Sequence, residues 1–298
     1  MKKIASLILP AILSVFIGCN GNMTAPKEIY GFTVENWKAR LAGFPKEDSY
    51  AFNEREKIAC VADQITRDFI DNTNVTSSLS GLVKAWAGKY PHYHSADIFA
   101  EVYLGTKSFE KANDAIGEYN QEQGLIPPDY LARDLAGCTA AGIFLEGDIL
   151  NWQFICDSGI AVLNKNGILK FKTPDEGPHS KEKNPYLEEI LRQHGGFDSP
   201  QGRILIRSKF RNNPQEPFAY GALTGEETAL SYVREGKEVL DKGDFVLLYT
   251  DGVGELIFQN GKINQNFVSL LKTNNYSVIK HFFQKRVSSE GTLVVYKN

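Results

Sequence analysis

Three apolar segments of this sequence end on an aspartate. They are "IACVAD", "FICD" and "LLYTD", which end at Asp63, Asp157 and Asp251, and Glu290 stands immediately before a fourth apolar segment, "GTLVVYK". An aspartate after a strand is also an ordinary turn or helix-cap residue, so each acid alone says little. Together they indicate chemistry, because none of these strand ends carries a lysine or arginine to neutralise the acid.

The segments "DSYAFN" and "KIACVAD" predict a hairpin around the polar residues "ERE". If this hairpin is symmetric about Arg55 and Glu56, Ala51 pairs with Cys60 and Asp48 pairs with Asp63. Two carboxylates about 4 Å apart repel by about 4 kcal/mol at an effective dielectric near 20. A divalent cation would offset that repulsion, and carboxylate oxygens suit Mg²⁺ or Mn²⁺ better than Zn²⁺. A structural Ca²⁺ site is an alternative.

Histidine and cysteine offer a weaker case for a metal site. His92 and His94 form a His-x-His pair, but beside Tyr90-Pro91 this pair is typical of a solvated approach to a helix. The cysteines in the body of the chain contain no CxxC pair, which favours buried thiols over disulfides or a thiolate site. They are Cys60, Cys138 and Cys156.

Hairpins and helices must position these acids. The segments "TAAGIFLE" and "ILNWQFICD" flank Gly147-Asp148, and "IAVLN" and "ILKFK" flank a second turn, so two further hairpins are predicted. Residues 66–133 have helical periodicity, with one helix around Leu79–Trp86 and a long one from Ser95. Strands that are apolar without interruption are covered on both faces. We therefore expect an α+β fold, a four-layer α-β-β-α sandwich of two antiparallel sheets flanked by helix pairs.

The later part of the chain continues this pattern after an insertion. Residues 173–220 are polar and proline-rich around one helical segment, "PYLEEILRQHGG", and are interpreted as an insertion over the surface. A helix near 226–239, the strand "DFVLLYTDG", a helix near 264–284 and the strand "GTLVVYK" complete the chain. The length of 298 residues fits one large domain.

The N-terminus has the layout of a secretion signal. Lys2 and Lys3 precede an apolar segment, and "FIGCN" then resembles a bacterial lipoprotein cleavage site with Cys19 as the lipidated residue. This predicts a signal segment at 1–19, a tether at 20–34, a domain at 35–298 and attachment to a membrane only through the lipid. The alternative is a start at Met23, which would leave a cytoplasmic protein.

The charge balance limits the partners. Lys and Arg number 33 against 36 Asp and Glu, a net charge of −3, which does not suit a protein that binds nucleic acid. The expected oligomeric state is a monomer.

Six segments together resemble the metal-dependent Ser/Thr protein phosphatases of the 2C type. The resemblance extends from about Phe44 to Tyr296, and its specificity lies in the order and spacing of the segments, since each is weak alone. The segments are "KEDSYAF", "VADQITRD", "AGCTAAGIFL", "FICDSGIAVL", "LLYTDGVGE" and "SSEGTLVV".

The resemblance implies a binuclear Mn²⁺ or Mg²⁺ centre at one edge of the sandwich. By position in these segments, Asp63 would bridge both ions, Asp48 would bind one, and Asp251 with Glu290 would bind the other. Such a centre hydrolyses phosphoserine and phosphothreonine in phosphoproteins or phosphopeptides with an activated water and no covalent intermediate.

Other positions follow the family pattern less closely. Asp157 and Glu255 match residues that help to hold a third ion in bacterial relatives. Gln64 replaces a glycine whose carbonyl contacts a metal ion, a role that Gln64 can fill only if the backbone there does not need a positive φ. Ile65 stands where some members have a histidine proposed as general acid. Glu290, Gly291 and Cys156 replace an aspartate, an asparagine and a glycine.

The phosphate-binding arginine of the family is missing, because Gly43 occupies its position. Arg40, Lys46 or Arg67 are the predicted substitutes. These departures leave two functions open, a metal-dependent phosphatase and a catalytically weak or inactive lipid-anchored relative with a binding or regulatory role.

Overall fold

Two five-stranded antiparallel sheets form the centre of the structure, a computed structural model that describes residues 28–37, 46–65, 94–130, 133–197, 199–259, 261–288 and 290–298. In chain order the strands are β1 (Ile29–Glu35), β2 (Asp48–Asn53), β3 (Ile58–Gln64), β4 (Cys138–Glu146), β5 (Ile149–Ile155), β6 (Gly159–Leu163), β7 (Leu169–Lys172), β8 (Arg234–Val239), β9 (Phe245–Tyr249), β10 (Phe258–Gln259), β11 (Lys262–Ile263) and β12 (Glu290–Lys297). One sheet has the order β2-β3-β4-β5-β8 and the other β1-β12-β9-β6-β7, while β10 and β11 pair separately.

Helices cover the outer face of each sheet. In chain order they are α1 (Ser95–Thr106), α2 (Phe109–Glu122), α3 (Asn184–Arg192), α4 (Pro200–Leu205), α5 (Asp251–Ile257), α6 (Gln265–Lys272) and α7 (Tyr276–Gln284). The first sheet shares a core with α1 and α2, and the second shares one with α6 and α7. A third core lies between the sheets. The predicted four-layer sandwich is therefore confirmed.

Strand β3 illustrates why uninterrupted apolar strands suit this fold. Successive side chains of a strand point to opposite faces. Cys60 accordingly packs in the α1 side of the core while its neighbour Val61 packs between the sheets, and both are fully buried. Complete burial of one large apolar side chain contributes about 1.5–3 kcal/mol, so both faces of each central strand stabilise the sandwich.

The hairpin predictions are confirmed down to their register. Asp48 pairs with Asp63 and Ala51 pairs with Cys60. β4 and β5 form the hairpin around Gly147-Asp148, where Gly147 has φ +64°, and β6 and β7 form the next one.

Two predictions about the ends of the sheets are wrong. Residues 29–34 of the predicted tether belong to β1, which pairs with β12 along its whole length and places Tyr30, Phe32 and Val34 against the helices. The helix expected near 226–239 is a 3-10 turn, Glu227–Tyr232, followed by β8. Pairing of β8 with the free edge of β5 outweighs the helical preference of its Glu and Lys residues.

The two long helical patterns are each divided in the structure. Lys107 adopts φ +56°, and the side chain of Ser108 then accepts a hydrogen bond from the Lys111 amide to start α2. Asn274 adopts φ +51°, and Asn275 caps α7 in the same way. Each break turns the chain so that a pair of helices covers one sheet.

The insertion at 173–220 packs more deeply than predicted. It contains α3, α4 and a π-helical turn, Ile206–Phe210. Leu187, Leu191 and Phe210 are fully buried in the core that α1 and α2 share with the first sheet. The segment is thus part of the domain core and not only a cover over its surface.

The described residues contain no helix that is long and apolar enough to span a membrane. The predicted signal segment with Cys19, the helix around Leu79–Trp86 and His92 lie outside the described residues.

The contact of α5 with β12 gives a first test. A Cβ atom at Gly252 would lie 1.9 Å from the carbonyl oxygen of Glu290, a backbone atom that cannot move without displacing β12. We expect Gly252→Ala to lower the free energy of unfolding by about 1–3 kcal/mol. Gly105→Ala is the matched control, because nothing lies within 4 Å of a Cβ there. Alanine in this helix should be neutral or stabilise by up to about 1 kcal/mol. Urea unfolding of both variants measures the difference, and equal stabilities would contradict the proposed contact.

Candidate metal centre

The acids predicted to converge lie at one edge of the sandwich. Asp48 begins β2 and Asp63 lies near the end of β3, while Glu290 begins β12 and Asp251 follows β9. In antiparallel sheets the start of one strand lies beside the end of its neighbour. The two pairs belong to different sheets, so the site spans both of them.

A chain of threonine hydrogen bonds joins the sheets at this edge. The hydroxyl of Thr250 donates to Asp48 Oδ2 at 2.8 Å and accepts from the Thr292 amide at 2.9 Å. The Thr292 hydroxyl in turn lies 2.7 Å from that of Thr33. The orientation of Asp48 is therefore set by the opposite sheet.

Glu290 is held at one oxygen and unpartnered at the other. Its Oε2 accepts a hydrogen bond from the Glu47 amide at 2.9 Å, while its Oε1 is buried without a hydrogen-bond partner. Burial, followed by repulsion from Asp48, raises the pKa of Glu290 to about 8. An orphaned buried carboxylate oxygen is costly, and a cation beside it would satisfy it.

Asp157 joins the group from the turn after β5. Burial, followed by the charge of Asp251, raises the pKa of Asp157 to about 7. The preceding Cys156 has φ +70°, a conformation that favours glycine, so the replacement of the family's glycine leaves a strained residue beside this acid.

The pKa values of Asp48 and Asp63, which pair across the hairpin, are raised as well. Burial raises the pKa of Asp48 to about 6, opposed by hydrogen bonds and reinforced by Asp251. Burial, followed by Asp48, Asp251 and Asp157, raises the pKa of Asp63 well above its ordinary value. These acids are thus close enough to feel one another's charge.

The donor set fits a hard divalent cation, but the carboxylates do not yet surround one. Among the residues described, no group of three or more His, Cys, Asp and Glu side chains is arranged to hold a metal ion. Asp48 and Glu290 each direct an oxygen to a protein donor, Thr250 and the Glu47 amide. A carboxylate has two oxygens, so these hydrogen bonds orient the side chains without preventing coordination. The second oxygen of Glu290 has no hydrogen-bond partner.

Two further predicted ligands lie differently. Gln64 ends β3 without a positive φ, so its backbone meets the condition set for replacing glycine. Its buried side chain accepts a hydrogen bond from Ser95 at 3.4 Å. Glu255 is exposed on α5 and is not among the residues that line the cavity beside Asp63 and Asp251.

The predicted phosphate ligands receive no support. Arg40 and Arg67 lie outside the described residues. Lys46 lines a different cavity, with Tyr30 and Tyr276, and its Nζ lies 4.0 Å from Glu35.

Three of these acids line a cavity of about 350 Å³ that cationic side chains also line, whereas Asp48 and Glu290 are not among its lining residues. Asp63, Asp157 and Asp251 share it with three residues that the sequence reasoning missed, Arg203, Arg207 and Arg211. Their signal was available, because they recur every four residues in "RILIRSKFR" and therefore share one helix face. The space around Gly291, at the edge of the site, explains why glycine stands there, since a Cβ atom would lie 2.6 Å from the Val253 side chain.

Comparison with known proteins identifies the fold. No protein-family model matches the sequence, and no curated protein does. Three solved structures illustrate the likeness. The catalytic domain of the serine/threonine protein phosphatase PstP, in complex with two manganese ions, is 18% identical over 90% of this chain and 96% of its own, with a TM-score of 0.50. The Mycobacterium tuberculosis serine/threonine phosphatase PstP/Ppp is 17% identical over 90% of this chain and 97% of its own, with a TM-score of 0.50. A bacterial serine phosphatase is 14% identical over 91% of this chain and 97% of its own, with a TM-score of 0.51. The chain thus has the fold of these phosphatases.

The raised pKa values predict how the metal-free protein responds to pH. A carboxyl group whose pKa is raised by folding stabilises the fold fully below its unfolded pKa, about 4. That contribution is lost as the pH rises through about 6 for Asp48, 7 for Asp157 and 8 for Glu290. Asp63→Asn removes one repelling charge, so it should raise the Tm in EDTA at pH 8 by about 2 °C or more, and by less at pH 5.

Thermal melting at both pH values measures this effect. Asp148→Asn is the control, because Asp148 is exposed in the β4–β5 turn and its substitution should change neither Tm. A gain for Asp63→Asn that is no larger at pH 8 than at pH 5 would contradict the clustering of charge.

Proposed function

We propose that this protein, which has the fold of metal-dependent Ser/Thr phosphatases, hydrolyses phosphoserine and phosphothreonine monoesters with Mn²⁺ or Mg²⁺. The observation that carries the proposal is the gathering of acids from both sheets at one edge, where Asp63, Asp157 and Asp251 line one cavity. The pKa is raised at Asp48, Asp63, Asp157 and Glu290. Such a cluster destabilises the ionised protein, and a function that needs divalent cations accounts for it.

Each acid has a role in this proposal. Asp63, on which the charges of Asp48, Asp251 and Asp157 all act, would contact two ions. Asp48 would hold one of them, and Asp251 with Glu290 would hold the second. Asp157 would help to hold a third. Bound cations of this kind activate a water nucleophile and neutralise charge on the phosphoryl group.

The rest of the edge positions these ligands. Thr250 fixes one oxygen of Asp48, and the Glu47 amide fixes one oxygen of Glu290. Because both donors belong to the β-sandwich and its immediate connections, the carboxylates are aimed by rigid structure. Ile65 lines the cavity as an apolar side chain and carries no proton for a leaving group, so water would supply that proton.

Hydrolysis in the presence and absence of metal tests the proposal. Wild-type protein should hydrolyse para-nitrophenyl phosphate and a phosphothreonine peptide with Mn²⁺ and lose that activity in EDTA. Asp63→Asn and Asp251→Asn should each lower kcat/KM by more than about 100-fold. Asp148→Asn should retain wild-type activity. Turnover that persists in EDTA, or full activity in both site variants, would contradict the assignment.

A non-catalytic relative is the second candidate. The observations that favour it are the strained Cys156 and the lack of a preformed coordination sphere among the described residues. Calorimetric titration with Mn²⁺ separates the candidates, because a binding module of this kind takes up the ion weakly or not at all. Tight binding of two or more ions, abolished in Asp63→Asn, would favour the enzyme.

We also propose that Cys19 is lipidated and that the domain is anchored outside the cytoplasm. The support is the sequence alone, an apolar segment behind Lys2 and Lys3 that ends in Gly18-Cys19. Mass analysis of the mature N-terminus tests it. A protein that begins at Met23 without a lipid would contradict it.

A further inference from the structure

The cavity beside the acids has a cationic side built by the insertion. Arg203, Arg207 and Arg211 all line it, together with Asp63, Asp157 and Asp251. We infer that Arg203 and Arg207 form the subsite for the phosphoryl group, in place of the arginine that is absent at Gly43. This inference rests on the proposed function and extends it to the insertion.

Arg211 is the most firmly held of the three arginines. It is 5% exposed, and its two terminal nitrogens donate to both oxygens of Asp134 at 3.1 and 2.7 Å. Asp134 is itself fully buried. A bidentate buried pair of this kind is rigid, and removal of either partner would leave an uncompensated charge. Arg211 is therefore structural and unsuitable for a functional test.

Arg207 is held by the same carboxylate. Its Nε lies 3.2 Å from Asp134 Oδ2, and its Nη1 donates to the carbonyl of Tyr130 at 2.9 Å. A single carboxylate thus serves two guanidinium groups. Arg207 therefore reaches the cavity from a position that Asp134 and the carbonyl of Tyr130 fix.

Arg203 adds a third cation one turn earlier. It lies on α4, is half-buried and lines the cavity. Burial, followed by the charge of Arg207, lowers its pKa, so the two guanidinium groups repel each other. An anion between them would reverse that repulsion into attraction.

The backbone that carries these arginines is well fixed. Ser199 caps α4 by accepting a hydrogen bond from the Gly202 amide, and Pro200 occupies the first turn. Gly202 approaches the carbonyl of Gly196 so closely that a Cβ would lie 1.9 Å from it. Beyond α4, Ile206 and Phe210 are buried in the core. The cations are therefore presented by a packed segment.

Phosphate is the ligand that matches this arrangement. The guanidinium fork forms paired hydrogen bonds with phosphate oxygens, which lysine cannot reproduce. The three carboxylates in the cavity would repel a phosphate dianion by themselves. Metal cations held by those carboxylates would bind the phosphate from one side, and arginines of the insertion would bind it from the other.

Binding of inorganic phosphate tests the inference independently of turnover. The titration uses the full chain saturated with Mn²⁺ and measures the phosphate Kd by calorimetry. Arg203→Gln should weaken phosphate binding by about tenfold or more, which corresponds to about 1.4 kcal/mol. Arg203→Lys should recover part of the loss, and Arg207→Lys should also weaken binding. The affinity for Mn²⁺ and the Tm of Arg203→Gln should not change. Arg192→Gln is the control, because Arg192 is exposed on α3 and pairs with Glu189.

Kinetics distinguish recognition of the phosphoryl group from recognition of a peptide. The KM should rise in Arg203→Gln for both para-nitrophenyl phosphate and a phosphopeptide, and kcat should change less. A change confined to the phosphopeptide would overturn the inference, as would wild-type phosphate affinity in both Arg203→Gln and Arg207→Lys, or no phosphate binding in the wild type. Phosphate binding that depends on Arg203 in a protein without hydrolysis would support the subsite and contradict the proposed function.

Discussion

The pairing of Asp48 with Asp63 across one hairpin is the constraint on which the rest of the site depends. Register fixes the two carboxylates opposite each other, and repulsion of this kind amounts to about 4 kcal/mol at 4 Å and an effective dielectric near 20. The apolar cores on both faces of β3 hold the strand in that register, because a slip of one residue would exchange its side chains between the two cores and disrupt the packing of both. Core packing therefore maintains an arrangement of charges that is unfavourable by itself. The hydrogen bond from Thr250 to Asp48 reduces the cost without removing it.

The strands could be predicted from the sequence where the apolar periodicity and the turn residues indicated the same hairpin. The hairpin of β2 and β3 has both a period of two and a short polar turn, so its register followed from counting. β1 was missed although Tyr30, Phe32 and Val34 alternate, since the preceding Gly, Asn, Thr and Pro residues suggested a tether. β8 was misread because its Glu and Lys residues suit a helix, and only the free edge of β5 makes it a strand. That edge is a long-range feature which no local pattern contains.

The acids and the arginines differ in how far sequence reasoning could reach them. The acids end strands, and strand ends of antiparallel sheets gather at shared edges, so their convergence was predictable in outline. The arginines repeat every four residues, which places them on one helix face but does not say where that face points. Its direction depends on Asp134, 77 residues before Arg211 in the chain, and on the burial of Ile206 and Phe210. Such docking follows from tertiary contacts alone.

The departures from the family pattern look different once both sides of the cavity are considered. The phosphatases that the sequence resembles have an arginine at the position of Gly43, and its absence alone suggests an inactive protein. Yet phosphate binding requires positive charge at the right place and does not require it from a particular strand. The insertion packs into the domain core and brings Arg203, Arg207 and Arg211 to the cavity, where the buried Asp134 holds Arg207 and Arg211. The positive charge that position 43 lacks is thus available from a packed segment much later in the chain. The glycine at position 43 is therefore weak evidence against catalysis, whereas the strained Cys156 beside Asp157 bears directly on metal affinity.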